Sequence, residues 1–341
     1  GGFEEANGRA AFFITDPENR GGFEEWLGYE NNNSPFDSWV HGGSGETAVH
    51  DKLPGYETDA LTDHLIAFLE QLAGGQEAER DPFFAVLSVQ PPHDPYIAPE
   101  EWMRRHNPAG VILRDNVPAV PHVVSRARRQ LAGYYAMIEN LDWNFGRIRQ
   151  ALDRLGMTED THVLFFSDHG DMQGSHGQFG KNSPWEESIR VPLVIGGGPP
   201  FYTYRSGENE LPVNITDIPA TTLGLCGLPV PEGMQGRDFS GLRRPDRALP
   251  ASPDSGYLQG VIPTCHSYSI DRPWRGVVTR DGWKYTVLEG QPWLLFNLDE
   301  DPFEQVNLAH NSRYWEERRR LQGLLAEWIE ATGDSFSLPR P

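Results

Sequence analysis

The sequence predicts an α/β fold, a mostly parallel sheet with helices on both faces, followed by a small antiparallel sheet closed by a helix. Three observations carry this expectation. Apolar runs of strand length alternate with helical patterns between residues 58 and 226. The connections between them are punctuated by Gly and Pro. From Trp274 onward the pattern changes to short strand-like runs split by Asp281-Gly282 and Glu289-Gly290.

Residues 1–56 are rich in Gly, Asn, Pro and aromatics without a sustained period, and read as a long connection wrapped over a surface. Leu61, Leu65, Phe68, Leu69 and Leu72 then recur at helical spacing until Gly74-Gly75. Phe83 to Val89 has the length of a buried strand and is broken by Pro91-Pro92, which puts His93 just past its end. A helix from a Ser125 cap shows an apolar face of Leu131, Tyr135, Ile138, Leu141, Phe145, Ile148, Leu152 and Leu155, and stops at Gly156.

His162 to Phe166 and Val191 to Ile195 read as two further strands, the second closed by Gly196 to Pro200. A short helix covers Asp217 to Cys226, with Pro219 in its first turn and Gly227 beyond its end. Trp274 to Thr279, Trp283 to Leu288 and Trp293 to Phe296 form the antiparallel part, and a helix over Tyr314 to Ile329 closes it. The expected division is a main domain over 1–245 and a small one over 246–341.

Composition narrows the function. Hydrophobic residues make up 38% of 341 and Trp occurs 10 times, the profile of a folded globular chain. A net charge of -20 with no basic block outside a helical pattern argues against nucleic acid as a partner. Cys226 and Cys265 are too few for a disulfide framework or a zinc site. No stretch of about 18 apolar residues is present to span a membrane. The chain starts at Gly1, so compartment and oligomeric state are not readable.

Chemistry concentrates where strands end, which is where ligands bind in open α/β sheets. Ser167-Asp168-His169-Gly170-Asp171 is followed by His176 and Lys181. An Asp next to a His offers one hard oxygen and one imidazole nitrogen to a divalent cation. Taken alone, Asp168 could equally cap a turn, His169 could be a hydrogen-bonded surface histidine, and Lys181 a solvated amine. Their joint occurrence with His93 on one expected edge favours a site.

Phe83 to Tyr96, FFAVLSVQPPHDPY, resembles the sulfatase strand that ends in a Pro-His-x-Pro loop. Thr161 to Lys181, THVLFFSDHGDMQGSHGQFGK, is similar to the metal-binding strand of sulfatases with its downstream lysine. WEESIRVPLV at 185–194, TDIPATTLGLCGLPVPEGMQG at 216–236 and LFNLDEDPFEQVNL at 295–308 continue the likeness over essentially the whole chain.

This resemblance to the sulfatase family, of the alkaline phosphatase-like superfamily, implies hydrolysis of a sulfate ester on a small molecule or carbohydrate. It implies that Asp168 and His169 bind a divalent cation, calcium first, with manganese or magnesium as alternatives. Lys181 would contact the sulfate and the bridging oxygen, and His93 the sulfate or the leaving alkoxide. His176 would line the pocket.

The family's nucleophile is a formylglycine made from Cys or Ser in a Cys/Ser-x-Pro-x-Arg motif. Cys226 stands in Cys-Gly-Leu-Pro and Cys265 in Cys-His-Ser-Tyr, so neither matches. The paired acidic ligands of a first strand and the lysine-bearing strand after the nucleophile are also missing. The expectation is an N-terminally truncated sulfatase whose catalytic segment lies outside these residues, leaving this chain inactive by itself. The alternatives are a phosphonate or phosphate ester hydrolase of the same superfamily, and a non-catalytic anion-binding homologue.

Overall fold

The computed structural model describes residues 14–30, 33–74, 81–198, 207–250, 254–261 and 270–340. Cys265, Gly75, Pro199 and Pro200 lie outside the described residues. The elements in chain order are β1 (Leu27–Gly28), β2 (Trp39–Gly42), β3 (Val49–Lys52), α1 (Glu57–Ala73), α2 (Glu100–Met103), α3 (Pro121–Arg154), β4 (His162–Phe166), α4 (Glu186–Ile189), β5 (Leu193–Gly197), α5 (Asp217–Leu225), β6 (Ser255–Gly260), β7 (Trp274–Thr279), β8 (Trp283–Leu288), β9 (Gln291–Asn297) and α6 (Trp315–Ala331). Contacts divide the chain into two compact units, one of residues 1–112 with 126–158, the other of 113–125 with 159–341.

In the first unit, the segment expected as a bare connection holds a small antiparallel sheet in the order β1-β2-β3. Trp39 stands opposite Lys52 and Leu27 opposite Gly42, so the ladder joins residues that no local period relates. Buried Val40 and Leu53 pack with Ala60 and Leu61 of α1, and Leu87 and Val89 lean on the same cluster. Phe83 to Val89 is extended but belongs to no strand ladder, and Phe84 and Val86 stay exposed. The strand expected there therefore lacks its hydrogen-bonding partner among the described residues, while its alternating side chains still pack.

Helix α3 begins at Pro121, a turn ahead of the expected Ser125 cap. Proline suits a first turn because its missing N–H would have had no intrahelical acceptor. Asn140 and Asn144, both buried, donate to the Asp59 carboxylate of α1 at 2.9 and 2.7 Å. Arg147 pairs with Asp63 and Arg154 with Glu70 along the exposed margin. Polar bonds inside and ion pairs outside thus fix the register of these two helices.

In the second unit, β4 and β5 pair antiparallel, with Leu164 opposite Ile195. Parallel pairing, expected from the alternation of elements, occurs in none of the described ladders. A parallel return needs a crossover, usually a helix, that carries the chain back along the strand. Residues 167–192 instead form loops and the one-turn α4.

The remaining sheet is an antiparallel meander in the order β6-β7-β8-β9, with Gly282 and Gly290 turning at φ +77° and +70° as the Asp-Gly and Glu-Gly pairs imply. Strand β6 was not legible in SGYLQG, whose two glycines and polar residues carry no apolar alternation. Helix α6 lays Leu321 and Leu325, four residues apart, onto Val277, Tyr285, Val287 and Leu295. All six are completely buried, and each side chain contributes about 1.5–3 kcal/mol.

Candidate active site

Asp168 and His169 follow β4 after a single residue. Ser167 Oγ donates to the His169 carbonyl at 2.8 Å, and the Gly170 amide donates to the Ser188 carbonyl at 2.8 Å. A Cβ on Gly170 would overlap the Glu187 carbonyl, so only glycine lets the turn sit this close to residues 187–188.

The His169 ring settles its own tautomer. Nδ1 is 2.9 Å from the Gly170 carbonyl, which can only accept, so Nδ1 carries a proton and, in the neutral ring, Nε2 is the nitrogen with the lone pair. That Nε2 is 3.5 Å from Asp168 Oδ2, and the Asp168 side chain is 82% exposed. Two donors converge on one exposed spot and suit part of a hard cation's shell. Calcium takes about six to eight oxygens, so further ligands must complete it.

Lys181 is half-buried and has no ion pair or hydrogen bond among the described residues. A partly exposed ammonium with no protein partner among the described residues is open to an anion from solution. Its backbone is held from both sides. Met172 N donates to the Gly180 carbonyl at 2.8 Å, Gly180 N reaches Asp171 Oδ1 at 3.2 Å, and Ser183 N reaches Ser188 Oγ at 3.4 Å.

His176, in the left-handed region at φ 54°, is half-buried. Its ring packs on Trp185 at 5.3 Å, and its Nε2 is 3.2 Å from Asn116 Nδ2. Burial lowers its pKa, so the neutral ring is favoured. Asn116 also donates to Glu187 Oε1 at 2.7 Å and to the Phe303 carbonyl at 3.1 Å.

His176, Glu187 and Glu304 each bring a ligand atom within 4.8 Å of the others, a spacing that would suit a cation. Positive charge is already in place there. Arg114 Nε is 2.8 Å from Glu187 Oε1, and Lys284 pairs with Glu304. Burial pushes Glu187 up, yet the Asn116 hydrogen bond, its own backbone and Arg114 outweigh it and hold the carboxyl below the usual range. Glu304 goes the other way, raised by burial against the pull of Lys284.

His93 lies in the first unit, in the loop after the extended Phe83–Val89 run, with its side chain 28% exposed. Its Nδ1 faces the Asp94 carbonyl at 2.7 Å, which leaves Nε2 for another partner. The second unit thus gathers Asp168, His169, His176 and Lys181 on one segment. Asn116, Glu187, Glu304 and Lys284, which support it, read in sequence as ordinary surface polar residues. Only the burial of a lysine in WKYTVL could have hinted at them.

The chain belongs to the sulfatase family: the Sulfatase family model matches residues 8–228, and the model for the C-terminal region of N-sulphoglucosamine sulphohydrolase matches 174–331. It is 30% identical to an ulvan-active sulfatase of Formosa agariphila over 94% of this chain and 61% of that protein. Identity to a choline-sulfatase of Rhizobium meliloti is 29%, over 74% and 52%. The chain therefore spans about half to three-fifths of these relatives.

Two solved structures share the fold. One, in complex with its substrate D-glucosamine-2-N,6-O-disulfate, matches with a TM-score of 0.80 at 19% identity over 94% of this chain and 78% of its own. The phosphonate monoester hydrolase of Agrobacterium radiobacter matches with a TM-score of 0.67 at 24% identity, over 82% and 62%.

Proposed function

We propose that these residues are the metal-binding and leaving-group part of an enzyme that hydrolyses sulfate esters of a carbohydrate or small molecule. The nucleophile, a formylglycine, would come from sequence outside the 341 residues, and the division at residues 245 and 246 is kept as part of the proposal. The observation that carries this reading is the Lys181 ammonium, without a partner among the described residues, on the same segment as the convergent Asp168 and His169 donors. Relatives named for ulvan and choline sulfate, and a fold neighbour holding a glucosamine disulfate, support a sulfated substrate.

Breaking the sulfur–oxygen bond leaves negative charge on the bridging oxygen and on the sulfuryl oxygens. Lys181 lowers the barrier by meeting charge that is larger in the transition state than in the ground state. His93, with Nδ1 engaged by Asp94, can deliver a proton from Nε2 to the departing alkoxide, so that it leaves as an alcohol. Asp168 and His169 Nε2 would hold the divalent cation, calcium first, which supplies positive charge to polarise sulfuryl oxygens. His176, tied to Asn116 and Trp185, serves as pocket wall.

The test extends the chain upstream through a Cys/Ser-x-Pro-x-Arg segment and compares an activated aryl sulfate with the matched aryl phosphonate ester. Faster sulfate release supports the proposal. Preference for the phosphonate transfers the same residues to a phosphonate ester hydrolase. No turnover with the nucleophile in place favours an anion-binding homologue.

A further inference from the structure

The chain contains only three lysines, Lys52, Lys181 and Lys284, among its 29 Lys and Arg residues. An ammonium is a compact point charge with three donors, unlike the planar fork of arginine. Lys52 is exposed at the surface beside Asp37. Lys284, on β8, is completely buried. Its ammonium hydrogen-bonds to the Pro184 carbonyl at 2.8 Å and to Glu186 Oε1 at 2.9 Å, and forms an ion pair with Glu304 Oε1. Three oxygens thus surround one compact ammonium, an arrangement that a larger, planar guanidinium does not reproduce.

Glu304 completes the grip. Its other oxygen accepts from the Glu186 backbone amide at 2.8 Å. It too is buried and takes a left-handed φ of 54°. One residue earlier, the Phe303 carbonyl accepts from Asn116, which also holds Glu187 and faces His176. The small antiparallel sheet therefore grips residues 184–187. On the other side of Lys181, Gly180 is zipped to Met172 and Asp171. Lys181 bridges two fixed points, and its own ammonium has no partner among the described residues.

We propose that Lys284, locked by Glu304, is a positioning residue that fixes the backbone on the C-terminal side of Lys181 and so sets where the Lys181 amine stands. It acts through Lys181 and does not touch substrate. The importance of the peg for catalysis rests on the sulfatase reading of Lys181; the peg itself does not.

With three lysines, amine labelling reads the tether directly. Brief acetylation with acetic anhydride, followed by peptide mass spectrometry, gives the Lys181 to Lys52 labelling ratio in the unaltered chain, in Lys284→Met and in Lys284→Arg. A peg predicts a severalfold rise in the ratio in both variants, because arginine keeps the charge but not the shape. Rescue by arginine, or an unchanged ratio in a methionine variant with native circular dichroism, overturns the proposal. If the variants do not fold, hydrogen exchange in the unaltered chain decides. The Glu186 amide, held by Glu304, and the Ser183 amide exchanging together with the β8 amides support the peg, and exchange faster by a decade or more overturns it. No sulfate ester enters these measurements, so they decide between peg and no peg even if the enzyme proves inactive or phosphonate-selective.

Discussion

Lys284 and Lys181 carry the same ammonium into opposite settings. One is sealed among a carbonyl and two carboxylates, hydrogen-bonded to two of these groups and ion-paired with the third. The other is half-buried with no partner among the described residues. The contrast separates two uses of charge in one unit of the molecule. A buried, saturated cation holds backbone in place, while an open one stays available to an incoming anion.

The sharpest way to break this contrast is to remove the sealed cation. Lys284→Met leaves Glu304 and Glu186 without their counter-charge, and loss of one partner of a buried pair costs about 3–5 kcal/mol. Urea unfolding of the chain should show a loss of that size. A change under about 1 kcal/mol would mean that the network is not a structural element.

A second ion pair in the same unit gives a smaller, pH-dependent effect. Arg275 Nε lies 2.5 Å from Asp334 Oδ2, and Tyr257 donates to the same carboxylate at 2.7 Å. The Arg275 hydrogen bond, helped by Tyr257 and opposed by burial, lowers the Asp334 pKa from 3.8 to about 2. A depressed acid stabilises the fold above its unfolded pKa and loses that contribution as pH falls through the folded one. The window is therefore about pH 4 to about 2, and the amount at stake is about 2 kcal/mol. Asp334→Asn should flatten the fall of stability across that window in acid titrations followed by circular dichroism. An acid limb identical to that of the unaltered chain would contradict the assignment.

The smallest effect is expected at the open amine. Lys181→Met should change stability by no more than about 0.5 kcal/mol, since no partner is lost. A loss comparable to that at Lys284 would show that Lys181 is a structural lysine and erase the contrast.

Much of this was readable from residue order where the signal is local. Helices α1, α5 and α6 and strands β4, β7, β8 and β9 follow periods and turn residues within a few positions of expectation. The β1-β2-β3 sheet was hidden because Leu27 and Gly42, or Trp39 and Lys52, pair across a stretch dominated by Gly, Asn and Pro. Phe83 to Val89 and His162 to Phe166 look alike as apolar runs, yet only the second finds a ladder partner, and partner choice is not a local property. The strand-end residues Asp168, His169 and Lys181 were legible as a group because they lie within one short segment. Asn116, Glu304 and Lys284 were not, being drawn together from 60 to 187 positions away.

The central claim is that the free Lys181 amine meets the sulfate. In a version of the protein extended through the upstream catalytic segment, Lys181→Ala should lower kcat/KM on an activated aryl sulfate by roughly one to three decades, with the thermal midpoint unchanged. Full activity in that variant would contradict the account.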